Sequence, residues 1–275
     1  MLIKFAKSLL INLIDWIYLN TYNLYIFGKK KNIEEGSYKD LFLKIKDKKY
    51  QAIEDLEQKT GYMIEKKWLE DLALVTQIVK KKSELNYAHG RAIYAILSRY
   101  IDQRKKNHNA FTILETGTAR GFSAICMSKA LNDLDANGKI ITVDVIGHSK
   151  KIYWNCIADE NGPKKRSELL SPWQDELDNI IFIQGRSSVV LKTMGINRIN
   201  FAFLDGQHDK KSILDEYTYL ENRQKQGDII FFDDVTPGKF SELYNFVKKI
   251  ENLKIYSIEF IEISIERSYA IATRN

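Results

Sequence analysis

Residues 113–121 read Ile113-Leu114-Glu115-Thr116-Gly117-Thr118-Ala119-Arg120-Gly121. Phe111, Ile113 and Leu114 before the glycines form a short apolar run with the character of a buried strand. After Glu115 come two glycines four apart, and then a stretch at 122–134 whose apolar residues recur with helical spacing. Strand, Gly-rich turn and helix in that order turn backbone N–H groups and a helix N-terminus toward the polar end of a ligand. The spacing is not that of a dinucleotide site, because Gly117-x-x-x-Gly121 lacks the third glycine of G-x-G-x-x-G.

Four further apolar runs repeat the theme. Residues 139–143 end at Asp144, and residues 180–183 end in Gln184-Gly185-Arg186-Ser187. Residues 199–204 end in Asp205-Gly206-Gln207-His208, and residues 228–232 end in the pair Asp233-Asp234. Helical patterns separate these runs, so residues 108–275 read as a doubly wound α/β domain. In such a sheet the carboxyl ends of the strands share one edge, where ligands bind. An ionised carboxylate at Asp144 can accept both hydroxyls of a ribose; a plain helix N-cap is the competing role. Asp205 and Asp234 likewise suit either a ligand or an ordinary strand end, and strand alternation turns Asp233 away from Asp234.

Glu-x-Gly-x-x-x-Gly, at Glu115, Gly117 and Gly121, resembles the first motif of class I S-adenosylmethionine-dependent methyltransferases. From about 85 to 252 the chain resembles the O-methyltransferase family that includes macrolide-sugar and aminocoumarin-sugar methyltransferases. The matching stretches are Gly90-Arg91, residues 115–123, residues 142–145, residues 203–208 and residues 227–234. The resemblance implies a mostly parallel, seven-stranded sheet closed by an antiparallel pair from residues 254–259 and 267–273. It implies a cosubstrate site built from Glu115, Gly117, Thr118, Gly121, Ser123, Asp144 and Asp205, with the adenine end at Arg186 and Ser187. Arg91 has two readings, a contact to the cosubstrate's carboxylate or a surface helix residue. A divalent cation, Mg²⁺ or similar, is implied on Asp205, Asp233 and Asp234. Where the family often has an aromatic two residues after the motif's histidine, this chain has Lys210, which puts the acceptor's shape near that point in doubt.

Methyl transfer from a sulfonium is an in-line displacement, so an enzyme mainly holds the reactants in near-attack geometry. A sugar hydroxyl is a poor nucleophile near neutral pH, and a hard cation beside it lowers its pKa. Clustered carboxylates suit such a cation and repel one another without it. His208 and Asp205 are the candidate bases. The leading reading is a cation-dependent O-methyltransferase acting on a hydroxyl of a sugar, glycan or related small molecule. The alternatives are a metal-independent N- or O-methyltransferase and a non-catalytic partner in glycan assembly.

Composition suits an intracellular, cytoplasmic enzyme: only Cys126 and Cys156 are available for a disulfide, and neither has metal-ligand spacing. The net charge of +6 does not mark a nucleic-acid binder, because it is concentrated before the catalytic part. Residues 1–32 carry Lys4, Lys7, Lys29, Lys30 and Lys31 against Asp15. This segment reads as an apolar helix with a narrow polar stripe at Lys4, Ser8, Asn12 and Asp15. It suits packing on the protein or a subunit, peripheral contact with anionic lipid, or a costly bilayer span. No small-residue cleavage site follows it. Residues 33–107 read as a helical region that, in the family, covers the cosubstrate site and contributes to subunit contacts, which leaves a homo-oligomer open. The insertion at 146–178 holds Tyr153, Trp154, Trp173 and the run Lys164-Lys165-Arg166. It is either an acceptor lid or a surface excursion with its own small core.

Overall fold

The computed structural model describes residues 37–207 and 209–275, with Leu13 alone before them. The N-terminal helix expected over 1–32 and the candidate base His208 therefore lie outside the described residues, Leu13 apart. From residue 37 on, the described residues begin with four helices: α1 (Tyr38–Ile45), α2 (Gln51–Thr60), α3 (Lys66–Thr76) and α4 (Ala88–Arg104). Ser37 starts α1 with a capping box, its hydroxyl accepting from the Asp40 N–H while Asp40 accepts from the Ser37 N–H. No helix among the described residues is long and apolar enough to cross a membrane.

Seven strands then form one sheet: β1 (Phe111–Thr116), β2 (Gly138–Asp144), β3 (Ile180–Gln184), β4 (Phe201–Leu204), β5 (Ile229–Phe232), β6 (Tyr256–Ser264) and β7 (Arg267–Arg274). Their spatial order is β3-β2-β1-β4-β5-β7-β6. The first five run parallel, and β7 joins β5 antiparallel, with Phe232 opposite Ala270. This is the doubly wound, mostly parallel seven-stranded sheet that the motifs implied. The edge strand β6 runs to Ser264, five residues past the expected end. Glu259 and Glu262 are both exposed within it, while Tyr256 and Ile261 are buried.

Strand alternation feeds two cores. Ile113, Phe203 and Phe231 face a core shared with α2, α3, α4 and α5 (Phe122–Asp133). Their neighbours Leu114, Leu204 and Phe232 face the other, with α6 (Ser187–Thr193), α7 (Lys210–Glu221) and α8 (Ser241–Asn252). Both faces of the central strands are thus covered, which is why those strands are continuous apolar runs. The insertion at 146–178 folds into short helical turns around a third cluster of Ile146, Ile152, Trp154, Cys156 and Leu169. Trp154 and Trp173 are buried. Of the two readings of this insertion, the small core is the one the fold contains.

Candidate functional site at the strand ends

The order of strands reverses between β1 and β4, and the Gly-rich turn lies at that switch point. Gly117 donates to the Val143 carbonyl at 3.0 Å, and Asp205 donates to the Thr116 carbonyl at 3.0 Å, so the turn is pinned between β2 and β4. Gly117 has φ +92, and a Cβ there would sit 2.0 Å from the Asp205 carbonyl oxygen. Neither the conformation nor the space admits a side chain. Gly121 begins α5 with φ +94.

Glu115 is fully buried beneath the turn. The hydroxyls of Ser123 on α5 and Thr142 on β2 donate to its two oxygens, and Thr118 bonds Thr142. Burial pushes the Glu115 carboxyl up to about 7; the two hydroxyls oppose this and Asp144 adds to it. Glu115, Thr118 and Ser123 thus form a network that ties turn, strands and helix together.

Asp144 stands at the tip of β2. One of its oxygens accepts from the Ala119 N–H and the other from the Ile146 N–H, both at 2.7 Å. Each carboxylate oxygen has a second lone pair for a ligand. Burial raises the Asp144 carboxyl above its ordinary range, with Arg166 and the backbone bonds opposing. Gly185 donates to the Asp144 carbonyl at 2.8 Å, which brings the half-buried Arg186 and Ser187, at the start of α6, beside this tip.

Two arginines join the insertion to the turn. Arg166, only 1% exposed, donates to the Ala119 carbonyl at 2.9 Å and the Ile146 carbonyl at 3.2 Å. Arg120 donates to the Trp154 carbonyl at 2.7 Å. In the sequence Arg166 is the last member of the run Lys164-Lys165-Arg166, and nothing there distinguishes it. Arg91 lies apart from the turn's bonds, forked onto Glu57 of α2 at 2.9 and 2.6 Å. A cavity of about 280 Å³ beside it, lined by Tyr50, Leu69 and Tyr87, includes none of the strand-end residues.

At the ends of β4 and β5 the acidic residues gather. Burial, then Asp233 and Asp234, push the Asp205 carboxyl well above its ordinary range, and Arg267 opposes. Arg267, at the start of β7, reaches Asp233 at 3.8 Å through Nη1 and Asp234 at 3.4 Å through Nη2. At about 4 Å such a pair attracts by about 4 kcal/mol at an effective dielectric of about 20, enough to hold the guanidinium there. His89, in the first turn of α4, packs edge-on to Phe122 at 4.8 Å and stacks at 6.3 Å on Phe203. Burial, with the Arg267 and Lys81 charges, pushes His89 down to about 3, and its buried Nδ1 has no partner among the described residues. Neither Arg267 nor His89 carries a sequence signal.

The implied cation can be tested against these donors. Among the described residues no group of three or more His, Cys, Asp or Glu is arranged to hold a metal ion. The guanidinium of Arg267 lies against two of the three expected ligands. The residues do not fit an open set of oxygen ligands.

Residues 114–235 match the family model described as a methyltransferase domain. No curated protein matches the chain. Among solved structures, it is similar to the O-methyltransferase TomG from Streptomyces achromogenes, in complex with SAM. The identity is 16%, the TM-score 0.55, and the match covers 78% of this chain and 92% of that one. It is similar to the O-methyltransferase NovP at 16% identity, with a TM-score of 0.53, covering 76% and 98%. Cofactor-bound Rv0187 from MTB matches at 13% identity and a TM-score of 0.52, covering 90% and 99%. The chain therefore carries a methyltransferase domain in the class I fold.

Proposed function

We propose that the chain transfers the methyl group of S-adenosylmethionine to a hydroxyl of a sugar, glycan or related small molecule. The observation that carries this is the contact of Gly117 with the Asp205 backbone, which sets a carboxylate beside the cosubstrate turn. Gly117, Gly121 and Asp144 hold the cosubstrate, with Arg186 and Ser187 toward its adenine end. Glu115, Thr118 and Ser123 keep the turn in shape. Asp205 takes the acceptor proton: a carboxyl above its ordinary range is a stronger base than an exposed one. His208 is the other candidate. The described O-methyltransferase relatives support an oxygen acceptor by analogy of fold.

Two routes to an activated hydroxyl were open, with and without a divalent cation. The ion pairs of Arg267 favour the second. The acceptor test compares glycans and small molecules from cells with and without the gene by mass spectrometry. The expected result is a species one methyl group heavier at a hydroxyl only when the gene is present. A methyl group found on nitrogen, or no methylated species at all, contradicts the reading.

A further inference from the structure

We propose that Arg267 is a built-in cation that takes the place of a divalent metal at the Asp205, Asp233 and Asp234 cluster. The inference rests on the methyltransferase reading of the same site.

The fold fixes where this arginine stands. Because β7 pairs antiparallel with β5, the start of β7 lies at the carboxyl end of β5. Val235 donates to the Ser268 carbonyl at 2.9 Å, and Ser268 donates to the Thr236 hydroxyl at 3.1 Å. These bonds pin the two residues after Asp234 to the residue after Arg267. The side chain is mostly buried and divides its two terminal nitrogens between two carboxylates. A planar fork with fixed donors suits that division better than an ammonium does.

The carboxylates are shaped to it as well. Asp234 has φ +56, a left-handed conformation unusual for a residue with a side chain. Asp233 accepts from the Asp234 N–H at 2.8 Å, which occupies one of its oxygens. Mg²⁺ demands oxygen ligands at about 2.0–2.1 Å in a near-octahedral shell, and the guanidinium fills the space between two of those donors. Arg267 remains charged at any working pH and cannot dissociate. The site then keeps its counter-charge without an ion from solution, and proton removal falls to a side chain.

The test uses the intact protein and Mn²⁺, whose free ion has a characteristic paramagnetic resonance signal. Wild type mixed with equimolar Mn²⁺ should leave that signal undiminished, while Arg267→Ala should bind Mn²⁺ at least about tenfold more tightly. Adding Asp234→Asn to Arg267→Ala should abolish the gain. Circular dichroism checks folding, and Arg267→Gln serves if the alanine variant does not fold. Stoichiometric Mn²⁺ binding by wild type that Asp234→Asn removes overturns the proposal, as does a folded Arg267 variant that binds no better than wild type. S-adenosylhomocysteine binding, followed in parallel by calorimetry, separates the two claims: its absence overturns the methyltransferase reading, whereas Mn²⁺ binding with it intact overturns only the role of Arg267.

Discussion

Glu115 couples the site to pH. Its carboxyl has an ordinary value of 4.5 in the unfolded chain and is pushed up to about 7 in the folded one, because burial penalises the charge. Between those values the folded state holds the extra proton, so stability falls as pH rises and the full loss is reached above about 7. A shift of that size corresponds to about 3 kcal/mol. Denaturant titrations at about pH 5 and pH 8 should show a smaller stability difference for Glu115→Gln than for wild type; equal differences would remove the buried charge as the cause. Gly117→Ala meets a φ of +92 and the Asp205 carbonyl. It should lose about 1–3 kcal/mol from backbone strain alone, with cosubstrate binding impaired, both readable by thermal melts and calorimetry. At this scale the sequence was legible where a residue's position follows from the strand–turn–helix pattern: Gly117, Asp144 and Asp205 stand at the strand ends as expected. Arg267, Arg166 and His89 were not, because their partners are distant in sequence. Arg166 meets Ala119 and Ile146, and no local pattern encodes that.

At the scale of elements, the strand ends gather the acidic residues, and the insertion at 146–178 is bonded to the turn beside them. Its aromatics fill a core, and Arg166 connects it to the turn. Arg166→Ala would leave the Ala119 and Ile146 carbonyls without that donor, at about 1–3 kcal/mol for each left buried and unpaired. Urea unfolding should detect this, and an unchanged midpoint would argue that water replaces the guanidinium. The strands were legible because parallel, doubly covered strands are nearly uninterrupted apolar runs. The edge strand β6 was read five residues too short, and the apolar Phe260, Ile261 and Ile263 that continue it are interrupted by the exposed Glu262. Residues 1–32 lie outside the described residues apart from Leu13. Their lysine-flanked apolar pattern supports binding to anionic vesicles, weakened by salt through screening and lost on deletion. Sedimentation of the intact protein with such vesicles at low salt tests this; recovery in the supernatant favours the packed-helix reading.

Across the whole molecule, the sheet order places β1 and β4 side by side and brings the residues of distant segments to one edge. The likeness to TomG, NovP and Rv0187 lies in this frame, at 13–16% identity. On the proposed reading, the turn at Gly117 and the carboxylate of Asp144 form the cosubstrate site. Calorimetric titration of S-adenosylhomocysteine into wild type and Asp144→Ala tests it most directly. Wild type should bind at micromolar levels, near 8 kcal/mol by the usual conversion of about 1.4 kcal/mol per tenfold. The folded variant should bind more weakly by about 1–3 kcal/mol, through loss of charge-assisted bonds. No binding by folded wild type, or equal affinity in the two proteins, would contradict it.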